Sequence, residues 1–475
     1  MDFDVIVAGG GLAGLSAAVA LADAGLRVQV LEATGELGGR ARSWDDATTG
    51  DRVDIGPHIL LSEYRNMRRL LERLGTQDEV LWQRDPFLTL VDAPNPPVDV
   101  RVHRLPPPLH MLPSMLAVPQ LSWLDVASNT RAMWRMMRLT PQAMAALDGE
   151  SAEAVLRRLG VRERYLDWFW RTAAMTVMNA PLEESSAGAL FQLFRYFTTV
   201  GGYHAGFPRI GLGDLYVPDA VRVIEAAGGK VRLHARVAAL EGDASQCSGV
   251  RLDDGTSLQA RWCIVALPPR EAFDVVPAAW RERHPPLSRA DALRPSPYFS
   301  TYLWFDRPLT QAHFWSKVWS PRAWHYDFYD LSTIRRDLAG RGSVIACNAI
   351  YTPRLPEADD ATIVEVARRE LAEYLPASRE ARLVHARVHR VPMAIPAPYP
   401  GSEALRPAPV TPIAGLLLAG DWMQTGLPCC MESAVRSAWI AAEQVLLEAG
   451  RPRTLASPLP QPEGLAALVG RGRMP

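Results

Sequence analysis

A glycine-rich segment near the start of the chain has the spacing that lets a protein backbone approach a phosphate. It follows a predicted buried strand over Val5–Ala8 and opens a predicted helix over residues 15–24. The N–H groups at a helix N-terminus are positively polarised and unpaired, so they bind the pyrophosphate of a dinucleotide. The residues expected to bind it are Gly9, Gly11 and Gly14, with Leu12 and Ala13 between them.

A carboxylate follows the next predicted strand. Val28–Leu31 completes a βαβ unit, and Glu32 stands directly after it. A carboxylate at this place accepts hydrogen bonds from both hydroxyls of the adenosine ribose and repels the 2′-phosphate of NADP. The glycines and Glu32 together therefore predict FAD or NAD as the cofactor.

Residues 37–43, Leu-Gly-Gly-Arg-Ala-Arg-Ser, carry a resemblance to the flavin amine oxidase and carotenoid desaturase superfamily. In that superfamily the double glycine and the arginine run past the FAD pyrophosphate. The resemblance implies that Gly39 lies at the pyrophosphate and that Arg40 neutralises its charge. It favours FAD over NAD as the cofactor.

Residues 54–58, Asp-Ile-Gly-Pro-His, match the superfamily segment that passes beside the isoalloxazine ring. The resemblance implies close backbone approach at Gly56 and Pro57, and either a hydrogen bond from His58 or a packing role for it. Val237 occupies the place where relatives read adenine with backbone groups. Residues 265–269 resemble the return strand and turn of the family.

A third motif lies near the end of the chain, where residues 418–422 read Leu-Ala-Gly-Asp-Trp and a helix follows. The resemblance implies that Gly420 and Asp421 lie near the ribityl and pyrophosphate groups. It also points the helix N-terminus, at Pro428 and Met431, toward the N1 and O2 edge of the flavin. A helix dipole there stabilises the negative charge of a reduced flavin.

Three segments resemble hydroxysqualene dehydroxylase, a squalene-associated branch of the desaturases: residues 105–112, residues 178–187 and residues 420–437. This branch implies reductive removal of an allylic hydroxyl from a long isoprenoid, with hydride from reduced FAD and His58 as the candidate proton donor. Ile55 and its neighbours depart from the branch and look more like general desaturases. Cys429 and Cys430 replace a small residue, and we interpret them as packing residues.

The resemblance leaves other functions open. A carotenoid-type desaturase runs hydride transfer in the opposite direction on the same fold. Amine oxidases commonly use an active-site lysine, and the chain has only Lys230 and Lys317, of which Lys317 alone lies outside a predicted strand of the flavin domain. A flavin-free, lipid-binding escort protein is a further alternative, although it has no need of Gly14, Glu32, Arg40 and Asp421.

The elements that position these motifs follow from hydrophobic periodicity. The further predicted helices cover residues 65–74, 218–227 and 428–447. The further predicted strands cover residues 230–237, 263–266, 298–305, 344–350 and 416–419, with a hairpin turn at 253–255.

The predicted fold class is α/β, with a Rossmann-like, two-dinucleotide-binding FAD domain intertwined with an α+β cap domain. The cap helices are dense in Trp, Met and Leu, which predicts a cover over an apolar cavity. The predicted FAD-binding domain comprises residues 1–75, 205–275 and 405–450. The predicted cap comprises residues 76–204 and 276–404, and residues 451–475 form a peripheral tail.

Composition excludes several classes of protein. The chain has 475 residues, 48% of them hydrophobic, and a formal net charge of −1. It is too long for a single core and has no basic surface for nucleic acid, which we do not expect as a partner. No second nucleotide motif is visible, so the sequence leaves the electron donor unidentified.

Five sparse cysteines without ligand spacing predict no metal site and a reducing cytoplasmic location. Residues 126–139 alternate Arg131, Arg135 and Arg138 with Trp and Met. We expect this helix either to make peripheral contact with the inner face of a membrane or to be a solvated helix whose apolar side is core.

Overall fold

Two large β-sheets of different construction organise the protein. The computed structural model describes residues 2–83, 85–283 and 285–469. In chain order, the strands within these ranges are β1 (Val5–Ala8), β2 (Val28–Leu31), β3 (Ser43–Asp45), β4 (Arg52–Asp54), β5 (Leu60–Leu61), β6 (Val80–Gln83), β7 (Leu88–Val91), β8 (Val98–Val100), β9 (Ala205–Pro208), β10 (Lys230–Arg232), β11 (Val237–Gly242), β12 (Cys247–Leu252), β13 (Ser257–Gln259), β14 (Trp262–Val265), β15 (Pro295–Phe305), β16 (Phe314–Lys317), β17 (His325–Asp330), β18 (Val344–Ile350), β19 (Leu383–Pro396) and β20 (Leu416–Leu418).

The helices connect and cover these strands. In chain order they are α1 (Leu12–Ala22), α2 (Arg65–Leu74), α3 (Leu112–Leu116), α4 (Trp123–Ser128), α5 (Thr130–Arg138), α6 (Pro141–Leu147), α7 (Ala152–Arg158), α8 (Glu163–Tyr165), α9 (Thr172–Met178), α10 (Ala187–Thr199), α11 (Val217–Ala226), α12 (Pro269–Val275), α13 (Ala278–Arg283), α14 (Pro285–Ser288), α15 (Leu331–Ile334), α16 (Asp360–Tyr374), α17 (Met431–Glu448) and α18 (Gly464–Val469).

The first sheet is parallel, with strand order β10-β2-β1-β14-β20. Every residue of β1 and β2 is buried, as expected for a sheet that is covered on both faces. Val5 and Val7 pack with α1, α2, α11 and α17, whereas Ile6 and Ala8 pack with β11, β12 and α12. The predicted α/β, Rossmann-like fold class is confirmed.

The second sheet is mixed, with strand order β19-β15-β18-β17-β16-β7-β8. Its longest pairings join β15 to β18 and β19 in antiparallel register, and β16 pairs with β7 in parallel. One face packs on α16 through residues such as Leu303 and Leu371, and the opposite face packs on Val53 and Phe207. Helices α5 to α10 enclose a separate apolar core around Trp168 and Trp170.

Several predicted boundaries were wrong. The predicted strand over residues 230–237 ends at Arg232, because His234 adopts a left-handed backbone (φ 51°), and Val237 begins β11 in another sheet. Helix α17 begins at Met431 and not at Pro428. The predicted helix over 126–139 is interrupted at Asn129, whose buried side chain accepts a hydrogen bond from the Trp170 indole at 3.0 Å.

We predict that Gly14→Ala destabilises the protein by about 1–3 kcal/mol, the usual effect of overpacking. A Cβ at Gly14 would lie 2.0 Å from the Gly9 carbonyl oxygen, so α1 would have to move away from β1. Thermal unfolding with parallel measurement of FAD content provides the test. The matched control is Gly149→Ala, whose Cβ meets no atom within 4 Å. Equal stability of the two variants would contradict this explanation of Gly14.

Candidate functional site

The three glycines of the first motif serve different purposes. A Cβ at Gly9 would lie 2.5 Å from the Ala266 carbonyl oxygen, and Gly14 packs against Gly9 itself. A Cβ at Gly11 would meet only Gly39 Cα, at 3.9 Å, so Gly11 borders open space. Gly11 is also the N-cap of α1, and no side chain caps that helix. The uncapped N–H groups of α1 and the space at Gly11 fit a bound pyrophosphate.

The Glu32 carboxylate lies against the same loop. Its Oε2 accepts a hydrogen bond from Gly10 N at 2.9 Å, and its Oε1 accepts from the amide and hydroxyl of Thr34, both at 2.9 Å. The Glu32 carbonyl oxygen accepts from Ala235 N at 2.8 Å. Through this bond Ala235 lies beside the end of the strand that carries Glu32. Val237, the residue predicted to read adenine with its backbone groups, follows two residues later.

Arg40 and Asp421 form a bidentate ion pair. Arg40 Nη1 donates to Asp421 Oδ2 at 3.0 Å and to the Ala394 carbonyl oxygen at 3.0 Å, and Arg40 Nη2 donates to Asp421 Oδ1. Burial lowers the pKa of Arg40, but Asp421 outweighs it and the pKa rises above its ordinary value. The structure thus brings together two residues that the sequence predicts separately at the FAD phosphates and ribityl group. The pair also joins the parallel sheet to β19.

A buried arginine that sequence analysis missed holds the loop between β20 and α17. Arg406 donates to the backbone carbonyls of four loop residues, at 2.6–3.3 Å, and to both carboxylate oxygens of Glu403, at 3.0 and 2.8 Å. The loop residues are Asp421, Trp422, Met423 and Leu427. Burial opposes the charge, yet Glu403 raises the pKa of Arg406, which stays cationic. No motif marks this residue.

The N-terminus of α17 directly follows the loop that Arg406 holds. Its N-cap is Cys430, and no side chain caps the helix, so the first N–H groups at Met431 remain available. Glu432 instead accepts hydrogen bonds from Asn66 N at 3.0 Å and Met67 N at 2.8 Å, which fixes α17 against the N-terminus of α2. Ser433 donates to the Asp421 carbonyl oxygen at 2.8 Å. This arrangement fits a helix dipole directed at the flavin.

The segment that includes Gly56, Pro57 and His58 packs against β15. A Cβ at Gly56 would lie 1.9 Å from the Tyr298 hydroxyl oxygen, so the tyrosine requires glycine there. Burial raises the pKa of Tyr298, which keeps the phenol protonated. In the described part of the chain, this hydroxyl has no hydrogen-bond partner. Sequence analysis missed Tyr298. Its one signal in the sequence is Gly56, which leaves room for the tyrosine hydroxyl.

His58 is held in one tautomer. Its Nδ1 lies 2.8 Å from the Gly56 carbonyl oxygen, and because a carbonyl only accepts, Nδ1 carries the hydrogen. Burial lowers the pKa of His58 below its ordinary value of 6.5, so the ring is neutral at pH 7 and Nε2 is an acceptor. The catalytic role of His58 stays a prediction, and its geometry suits accepting a hydrogen bond better than donating a proton.

A small, mostly apolar cavity of about 20 Å³ lies between α9, α10 and the start of α17. Val177, Met178 and Ala189 line one side, and Pro428 and Cys429 line the other. Gln192, Glu403 and Arg406 are the long polar side chains of its wall. Burial raises the pKa of Cys429 and raises that of Cys430 to about 12, so both thiols stay protonated, as packing residues do.

Lys317, the lysine that an amine oxidase would need, is engaged elsewhere. Its Nζ lies 2.7 Å from a Glu373 carboxylate oxygen and 3.6 Å from one of Glu370, both on α16. Among residues 2–83, 85–283 and 285–469, no cluster of three or more metal-ligating side chains is present.

Comparison with known proteins identifies the family. Residues 12–446 match the family described as flavin containing amine oxidoreductase. The chain belongs to this family. Its cofactor is FAD, and the protein is an FAD-dependent oxidoreductase of the amine oxidase and carotenoid desaturase superfamily.

Individual relatives act on different molecules. The chain is 30% identical to a hydroxysqualene dehydroxylase of Sinorhizobium fredii, over 94% of this chain and 99% of the relative. It is 26% identical to a 15-cis-phytoene desaturase of Solanum lycopersicum, over 93% of this chain and 77% of the relative. A solved putrescine oxidase variant shares the fold, with a TM-score of 0.72 and 17% identity over 94% of this chain and 99% of that structure.

We predict that Glu32→Ala weakens FAD binding at least a hundredfold while the fold remains intact. Two hydrogen bonds to the ribose, each worth about 1.5–3 kcal/mol, are lost with the carboxylate. The flavin-to-protein absorbance ratio after gel filtration measures retention. Glu36→Ala, which removes an exposed carboxylate four residues away, serves as the control. Full FAD occupancy in Glu32→Ala would overturn the assignment of Glu32.

We also predict that Arg406→Met lowers the free energy of unfolding by about 3–5 kcal/mol, because Glu403 and four backbone carbonyls lose their cationic partner inside the protein. The expected result is a lower unfolding midpoint with loss of FAD at a lower temperature than in the parent protein. Arg270→Met, at a largely exposed arginine, is the matched control and should change neither quantity. If Arg406→Met loses FAD at the same temperature as the parent protein, other contacts hold the loop.

Proposed function

We propose that the protein removes an allylic hydroxyl reductively from a long isoprenoid alcohol, most specifically hydroxysqualene, and releases squalene. The observation that carries this proposal is the likeness to the hydroxysqualene dehydroxylase, which spans nearly the whole of both chains at 30% identity. Mostly apolar side chains line a small cavity of about 20 Å³ between α9, α10 and α17, and such a lining suits part of a hydrocarbon and excludes water.

The reaction needs a hydride and a proton. Reduced FAD, when bound, supplies the hydride. The hydride forms a new C–H bond at the allylic carbon, the C–O bond breaks, and the leaving oxygen takes a proton to become water. The uncapped N-terminus of α17 would stabilise the negative charge of a reduced flavin bound beside it.

Tyr298 is the proposed proton donor. Its buried phenol stays protonated and has a hydroxyl without an assigned partner beside Gly56. A leaving hydroxide is the stronger base, since water is a weaker acid than a phenol. The neutral His58 ring, with Nε2 as an acceptor, is suited to orient a hydroxyl and not to protonate it.

A carotenoid-type desaturase is the second candidate, favoured by the phytoene desaturases at 26–27% identity. Amine oxidation has less support, because Lys317 is bound to Glu370 and Glu373.

We place the reaction in the cytoplasm, at the inner face of a membrane. No helix of the described residues is long and apolar enough to span a bilayer.

The direction of hydride transfer separates the two candidates. Under anaerobic conditions, flavin reduced by dithionite should become yellow again when hydroxysqualene is added, and squalene should appear in proportion by mass spectrometry. Phytoene should leave the reduced flavin unchanged. If phytoene bleaches the oxidised enzyme while hydroxysqualene does nothing to the reduced enzyme, the dehydroxylase proposal is wrong and the desaturase takes its place.

Tyr298→Phe should slow this reoxidation by a factor of about 10²–10⁴, the usual contribution of a general acid. FAD content and unfolding midpoint should match the parent protein, because only a hydroxyl without a protein partner is lost. Tyr374→Phe, on α16 behind the mixed sheet, is the matched control. An unchanged rate in Tyr298→Phe would remove the tyrosine from the mechanism.

A further inference from the structure

One side of the cap exposes an unusual number of large apolar side chains. Leu116 is 53% exposed, Trp123 is 70% exposed, Trp134 is 50% exposed and Leu468 is 84% exposed. Single exposed apolar residues are normal on a protein surface, but a contiguous group marks an interaction site. We call this group the cap patch; its members are Leu105, Leu109, Leu112, Leu116, Trp123, Leu124, Trp134, Leu465 and Leu468.

The members of the cap patch lie on elements that touch one another. Helices α3, α4 and α5 pack in series, and α18 packs on α5. The Ala466 amide donates to the Pro107 carbonyl oxygen at 3.1 Å, which attaches α18 to the segment before α3. The elements that carry the apolar side chains are therefore neighbours, although they come from two distant parts of the chain.

The charges of residues 104–138, which carry seven of the nine members of the cap patch, are almost all positive, and the exposed Glu463 before α18 is an acidic residue at the edge of the patch. Residues 104–138 contain four arginines and a single acidic residue, Asp125. Asp125 is buried, caps α4 through Ser122 and faces Arg162 at 3.2 Å. In the ranges that the structure describes, Arg104, Arg131 and Arg135 have no carboxylate within 4.0 Å. Arg138 stacks over the Trp134 ring at 5.3 Å.

We infer that the cap patch docks on the surface of an anionic phospholipid bilayer. Leucines and tryptophans enter the boundary between headgroups and acyl chains, and the free arginines contact lipid phosphates. Met136 and Met137 of the basic segment are buried, so insertion rests on the exposed leucines and tryptophans. Residues 105–112, which carry part of the resemblance, form one edge of the surface.

Helix α10 connects this surface to the apolar cavity. Ala189 and Gln192 line the cavity, and the Phe197 carbonyl oxygen accepts a hydrogen bond from His110 Nε2 at 2.9 Å, beside Leu109. Residues 189–197 span about 12 Å of helix. A docked bilayer would thus lie within a few helical turns of the cavity wall, which suits a lipid ligand.

Vesicle binding of the full-length, FAD-loaded protein tests the inference. The probes are sucrose-loaded vesicles of phosphatidylcholine alone and of phosphatidylcholine with 30% phosphatidylglycerol, a composition chosen at about physiological charge. We expect binding to the anionic vesicles, weakened at least tenfold in Trp123→Ala/Trp134→Ala. Arg131→Glu/Arg135→Glu should weaken binding to anionic vesicles only.

Matched controls keep the test specific. Val384→Ala/Leu447→Ala removes apolar side chains that are 57% and 58% exposed elsewhere, and Arg222→Glu/Arg270→Glu reverses two exposed arginines. Both should bind like the parent protein. Equal vesicle binding by all variants would overturn the inference. Loss of a solution dimer in Trp123→Ala/Trp134→Ala, without any vesicle binding by the parent, would assign the patch to a second copy of the chain. None of these outcomes depends on the substrate.

Discussion

A buried guanidinium sets the geometry of the loop between the parallel sheet and α17. Arg406 holds four carbonyl groups of that loop and is itself neutralised by Glu403. The loop carries Asp421 to Arg40 and leads into the uncapped start of α17. Backbone carbonyls cannot be left unpaired in a buried loop, so the cation determines a conformation that hydrophobic packing alone would leave open.

The roles predicted for the glycines and Glu32 rest on a local pattern of strand, turn and helix, and those predicted for Arg40 and Asp421 rest on motifs of the family. The structure adds that Arg40 and Asp421 are bound to each other, although 381 residues separate them. Tyr298 and Glu432 act through partners far away in sequence. Arg406 acts through Glu403, three positions before it, and through carbonyls 15 to 21 positions after it, and no periodic pattern marks these contacts. Gly56 is the exception, since a glycine there leaves room for the Tyr298 hydroxyl.

Strands were predicted well where both faces are buried, because a continuous apolar run is then required. Val5–Ala8, Val28–Leu31 and Val344–Ile350 have the predicted bounds. The break between β10 and β11 was missed because it depends on the backbone of His234, a residue type that does not specify a left-handed conformation. The interruption at Asn129 was missed because its hydrogen bond comes from Trp170, in a different helix.

The parallel sheet draws its five strands from three widely separated parts of the chain, with β20 at one edge and β1 in the centre. During synthesis, β1 and β2 leave the ribosome long before β14 and β20 exist. Until residue 418 emerges, β14 has an unpaired edge, and exposed edges favour pairing with other chains. The parallel sheet can therefore be completed only after residue 418 has emerged, and until then β14 can pair with the edge of another chain, a hazard that chaperones limit.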